Sequence, residues 1–189
     1  MELTRNIINI IDANLIFCLI PIIFTLILVR LFFKNRFQTR KALRVLAWLI
    51  ISYTIFSWSY YLIGMVTTSD LNKYVFPQRA TGPYAWSYWI MFFSALVLPL
   101  TLFHKKLASK PWYLLIVAFG LKCGVYFERY VIIVTSFHRD FLSQSGNYEV
   151  INLFLLGMAG MFLQGVVIAA LMLGILELIK KYNIRYNKA

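Results

Sequence analysis

The sequence predicts an all-α polytopic membrane bundle of five transmembrane helices, with the N-terminus outside and the C-terminus inside. Three observations carry this. The chain has 189 residues and is 61% hydrophobic, with a mean hydropathy of +0.72, more apolar than a soluble core requires. Long apolar runs recur along its whole length. Its basic residues gather on alternate connections.

The runs are about 10–33, 45–67, 86–103, 112–137 and 150–178. Each meets the ~20 residues needed to cross a hydrocarbon core about 30 Å thick. Backbone groups in lipid must be satisfied within the segment, so spans of this length are helices. The connections leave no room for a separate soluble domain, and residues 1–189 read as one transmembrane domain.

The charge pattern orients it. Of 19 basic residues, 13 fall on one side: Arg30 and the first loop, Lys105, Lys106 and Lys110 in the third, and the tail from Lys180. The other side holds Arg5, Lys73, Arg79 and Arg139. The positive-inside rule then places the basic side in the cytoplasm. A net charge of +12 would suggest nucleic acid in a soluble chain; here it is a topology signal with some attraction to anionic lipid, and no nucleic-acid partner is expected. Met1 to Asn9 is not a basic leader region, so the first helix reads as its own insertion signal.

In the first span Pro21, and in the third Pro99, read as kinks or as a hinge. The second span ends in Trp58, Tyr60 and Tyr61. The third opens "GPYAWSYW", where Tyr84, Trp86, Tyr88 and Trp89 form either an interfacial belt or a wall for a flat ring ligand; with the second span's aromatics they would line an outward-facing pocket. Gly157, Gly160, Gly165 and Gly174 in the fifth span read as helix-packing positions. Cys18 and Cys123 fall inside spans with no metal or haem spacing, so no metal site is expected. His104 and His138 end spans on opposite faces, which excludes a bis-histidine haem held by this chain alone.

The fourth span carries Lys122, Glu128 and Arg129. Ionisable groups at membrane depth are functional candidates because each costs a few kcal/mol or more. By helical rise Lys122 lies roughly 15 Å in and Glu128 roughly 24 Å in. Glu128 sits about 100° from Arg129 and is not on the Lys122 face, so each charge needs a partner on another helix or subunit, or a water-filled cavity. Exposing all three to lipid would cost several times that of one charge, so an obligate partner helix is expected against this span. A buried ion pair that fixes packing and a proton-carrying or quinone-facing group are both open readings. His138, Arg139 and Asp140 follow at the outer mouth, where an imidazole suits proton exchange.

The blocks Gly82-Pro83-Tyr84, Glu128-Arg129-Tyr130 and Thr135-Ser136-Phe137-His138-Arg139-Asp140, about 50 residues apart, resemble the C-terminal half of the NrfD/polysulfide-reductase membrane subunit family, closest to the quinol-oxidising membrane subunit of bacterial alternative complex III. The resemblance covers roughly Ser52 to Leu178, one of that family's two helix bundles. It implies an inner-membrane subunit of a respiratory complex beside an outer iron–sulfur subunit, with quinone or quinol as the redox partner and no cofactor bound by this chain alone. It implies Glu128, Arg129, His138, Arg139 and Asp140 as the proton-path or quinone-site residues. The alternative expectation is a non-catalytic structural, assembly or anchoring subunit.

Overall fold

The computed structural model describes residues 2–33, 36–67, 81, 85–127 and 147–186, with side chains throughout except at 2, 65–67, 147–154 and 184–186. Among the described residues every regular element is a helix. In chain order these are α1 (Glu2–Ile11), a π-helical turn (Asp12–Ile16), α2 (Leu19–Phe32), α3 (Thr39–Thr67), α4 (Ala85–Leu100), a 3₁₀ turn (Thr101–Phe103), α5 (Lys105–Ala108), α6 (Pro111–Leu121) and α7 (Asn147–Tyr186). Four stretches among them are long and apolar enough to cross a membrane: Leu3–Phe32, Thr39–Gly64, Ala85–Phe103 and Leu155–Asn183.

Three of these outrun the apolar runs. The first helix starts at Glu2, eight residues before its run, and the second starts at Thr39. The last is 40 residues long. Helices extend past the hydrocarbon because exposed ends still close their own hydrogen bonds, so hydropathy marks the lipid-facing middle and not the ends. Pro111 opens α6 at its first turn, where a missing N–H costs nothing.

α2 is the hub, packing on α3, α6 and α7, while α4 packs on α3 and α6. Its inward stripe is Leu19, Ile22, Ile23 and Leu26, all fully buried, at the 3–4 spacing of one helix face. It meets Leu43, Leu46, Ala47 and Ile50 of α3, Leu114, Val117 and Ala118 of α6, and Ala169 and Leu173 of α7. The outward faces stay apolar: Phe24 and Leu28 on α2, Leu156 and Leu163 on α7, as lipid contact requires.

Close approach is needed at two glycines. A Cβ on Gly165 would lie 2.6 Å from Pro21 Cγ, and one on Gly120 would lie 2.6 Å from Leu98 Cδ2. So α7 sits directly on the proline of α2, and α6 sits on α4. Gly157, Gly160 and Gly174, read from sequence as packing positions, have nothing within 4 Å. Among the described residues, only Gly165 of the four makes a close helix contact. Pro99 closes α4, and the chain tightens into the 3₁₀ turn just after it. There Thr101 Oγ1 donates to the Leu98 carbonyl at 2.6 Å. The basic ends of the helices meet at one end of the bundle: Arg40, Lys41 and Lys180 border one cleft, and Arg30, Arg40, Arg44 and Lys110 another.

Candidate functional site: a buried ion pair beside an aromatic cleft

Two charged residues meet at two breaks in helical regularity. In the first span the backbone widens into the π turn, and the Phe17 N–H reaches five residues back to the Asp12 carbonyl at 3.0 Å. Turns of this kind re-aim side chains and occur often at functional positions. Pro21 adds to the irregularity, since it has no N–H for the Phe17 carbonyl. Thr25 Oγ1 in turn donates to the Pro21 carbonyl at 2.7 Å.

α6 breaks off at Lys122. Its N–H turns to the Phe119 carbonyl at 3.1 Å, three residues back, and α6 ends at Leu121. Helix resumes over 123–127. Gly120, whose place against α4 admits no side chain, stands just before the break.

Across this gap Lys122 Nζ lies 2.5 Å from Asp12 Oδ1. The same oxygen accepts from Tyr53 Oη at 3.0 Å, and Nζ also stands over the Phe17 ring, 3.7 Å from its centroid. The Lys122 side chain is 5% exposed and that of Asp12 30%. Tyr53 lies about 14 Å beyond Arg44 and Lys122 about 18 Å beyond Lys110 by helical rise. Both therefore sit near the middle of a core about 30 Å thick. A lysine there is tolerated because a carboxylate and a ring face replace its water.

A cleft of about 210 Å³ opens beside this cluster, between α3, α4 and α6. Tyr53, Ser57, Trp58 and Tyr61 line it from α3, with Leu121 from α6. Its walls are aromatic: Trp58 packs edge-on against Phe92 at 4.9 Å and against Tyr61 at 5.4 Å. The Thr54 hydroxyl, also on the lining, is spent on the Ile50 carbonyl. Tyr53 belongs to both the cleft and the charge cluster. On the far side of the first span, Gln164 Nε2 donates to Asn14 Oδ1 at 3.0 Å, so the π turn is held from α7 as well.

Of the residues singled out from sequence, Glu128, Arg129, His138, Arg139, Asp140 and Tyr84 lie outside the described residues. Trp86 packs edge-on against Phe127 at 6.2 Å. Tyr88 packs tilted and Trp89 edge-on against Phe92. None of these three lines the cleft; the second span supplies its aromatic lining instead. Lys122 is not exposed to lipid: it is 4% exposed, and its partner is on another helix of the same chain. It therefore gives no reason to require a foreign helix against the fourth span.

Sequence reasoning assigned Asp12 no role. It stands two residues inside its apolar run, where a carboxylate belongs to the interface. The helix start at Glu2 carries it almost three turns in. The available signal was arithmetic: one acid in the first run and one lysine deep in the fourth. Among the described residues no group of three or more His, Cys, Asp or Glu could hold a metal ion. No family model, curated protein or solved structure matches the chain.

Proposed function

We propose that this chain is an inner-membrane subunit of a respiratory electron-transfer complex, in which the cleft beside Tyr53 takes a quinol ring and the Asp12–Lys122 pair handles its proton. The observation that carries this is the double membership of Tyr53. Its ring lines an aromatic cleft sized for one ring, and its hydroxyl is bonded to a buried carboxylate. A pocket of apolar walls with a few converging polar groups is the usual form of a ligand site.

In this reading one quinol hydroxyl donates to Tyr53 Oη as the tyrosine proton passes to Asp12 Oδ1; once Asp12 has passed that proton on, the second hydroxyl proton follows by the same relay. Lys122 holds the carboxylate in place and stabilises it as an anion before the transfer. The two electrons leave to an iron–sulfur subunit at the outer face. The resemblance in the Glu128 and His138 blocks supports the same assignment and supplies the onward proton route.

The five-span topology, N-terminus out and C-terminus in, is part of this proposal. Lys110, next to the first residue of α6, and Lys180, near the end of α7, border grooves that share Arg40. α7 therefore begins at the opposite end from α6, which supports one further crossing between residues 111 and 147. Together with the basic asymmetry, this favours the assigned orientation.

A structural role is the second reading, and one observation favours it. The Asp12 cluster ties the first, second and fourth spans at one point, as a packing clamp would. The experiment is isolation of the tagged chain from native membranes in mild detergent, followed by quinol-driven reduction of a copurified iron–sulfur centre read by electron paramagnetic resonance. Loss of that reduction in Tyr53→Phe, with the assembly intact, supports the quinol site. Full reduction in Tyr53→Phe and in Asp12→Asn leaves the clamp.

A further inference from the structure

A second, larger groove lies at the basic end of the bundle, well away from the ion pair. Its volume is about 970 Å³, and four cations border it: Arg30, Arg40, Arg44 and Lys110. They come from three segments. Arg30 is in the last turn of α2, Arg40 and Arg44 are one turn apart on α3, and Lys110 is the residue before α6. Among the described residues none of the four has a carboxylate partner. Four like charges around one groove repel one another unless an anion sits among them.

The backbone adds to this. α6 starts at Pro111, no side chain caps it, and its first three residues line the groove, so the positive end of the helix dipole adds to the charge there. The floor has a different character. Ile27 and Leu31 of α2 and Ile116 of α6 line it, and Leu31 and Ile116 are 66% and 57% exposed on the membrane-facing surface. Trp112, 70% exposed, stands at the rim, the usual depth of an interfacial tryptophan.

From this geometry we infer that the groove is a binding site for an anionic glycerophospholipid of the leaflet at the basic end. The phosphate lies among Arg30, Arg44, Lys110 and the α6 N-terminus, and an acyl chain runs along Leu31 and Ile116. A free phosphate ion would satisfy the cations but leave the apolar floor without an occupant. A zwitterionic lipid would satisfy the floor but bring no net charge. Basic pockets between membrane helices recognise anionic head groups by this combination.

The test is native mass spectrometry of the full chain released from detergent micelles, titrated with phosphatidylglycerol or with phosphatidylcholine. Wild type should bind phosphatidylglycerol at least about tenfold more tightly than phosphatidylcholine, given a contribution of about fivefold per cation. Arg30→Gln/Arg44→Gln/Lys110→Gln should lose that preference. Arg36→Gln/Lys105→Gln/Lys106→Gln removes the same charge from the same end without touching the groove and should keep a clear preference for phosphatidylglycerol, losing much less than the groove variant. The singles Arg44→Gln and Lys110→Gln, both at exposed positions, should each lose about fivefold, which keeps the test open if the triple variant fails to fold. Equal losses in groove and control variants would reduce the effect to diffuse charge and overturn the site. Equal binding of phosphatidylcholine, or full displacement by inorganic phosphate, would also overturn it.

Discussion

Lys122 Nζ and Asp12 Oδ1 are 2.5 Å apart across 110 residues of sequence. This one contact joins the first helical stretch to the end of α6, with the lysine 5% and the aspartate 30% exposed. Removing one partner leaves the other uncompensated, which costs about 3–5 kcal/mol for a buried pair. Lys122→Met and Asp12→Asn should each lower the unfolding free energy of the purified protein by that order. The double variant should recover much of the loss, because asparagine still accepts from Tyr53 and no lone cation remains. Additive losses in the double variant, read by denaturant titration in detergent, would show that the two groups do not interact.

Tyr53→Phe removes a hydroxyl bonded to a charged acceptor and keeps the ring. The expected cost is about 1.5–3 kcal/mol, and it should shrink when Asp12 is already asparagine. A double-mutant cycle on these two positions measures the coupling; zero coupling would remove Tyr53 from the cluster.

Gly165→Ala drives a methyl against Pro21, with the Cys18 carbonyl 3.2 Å from the new carbon. Overpacking of this kind costs about 1–3 kcal/mol. Gly160→Ala and Gly174→Ala meet nothing within 4 Å and should stay within about 0.5 kcal/mol of wild type. Equal effects at all three positions would mean that the α2–α7 contact is not formed at Pro21.

Thiol chemistry separates the two cysteines. Cys18 is fully buried and Cys123 partly exposed. A membrane-permeant maleimide should modify Cys123 first and leave Cys18 unmodified until the protein unfolds, as followed by intact mass. Early labelling of Cys18 would contradict the packing of α2 against its neighbours.

The lipid-facing middles of the four described spans are legible in the sequence because hydropathy reports directly what each segment meets. Helix ends are not, since 2–9 and 39–44 are helical without being continuously apolar. The break at Lys122 has no signature in a run of apolar residues, because a reversal from i−4 to i−3 bonding leaves composition unchanged. Asp12 was hidden for the same reason: its depth depends on where the helix begins. Lys122 could be recognised alone, because a lysine at mid-span needs a partner under either reading, packing pair or functional group. The aromatic cleft was half legible. Trp58 and Tyr61 were in view, but a ring's direction depends on helix rotation, and Tyr88 and Trp89 turn toward Phe92 instead of the cleft.

The central claim is that the cleft beside Tyr53 accepts a quinone ring, and Trp58 on its wall offers a direct readout. The purified chain in nanodiscs is titrated with a short-chain quinone while tryptophan fluorescence is recorded. The account predicts saturable quenching that disappears in Trp58→Phe. Ala95→Phe, which fills the cleft, should abolish binding, and Tyr53→Phe should weaken it by about five- to tenfold, the equivalent of one hydrogen bond. Quenching that is unsaturable, or that persists unchanged in Ala95→Phe, would place the quinone elsewhere and contradict the account.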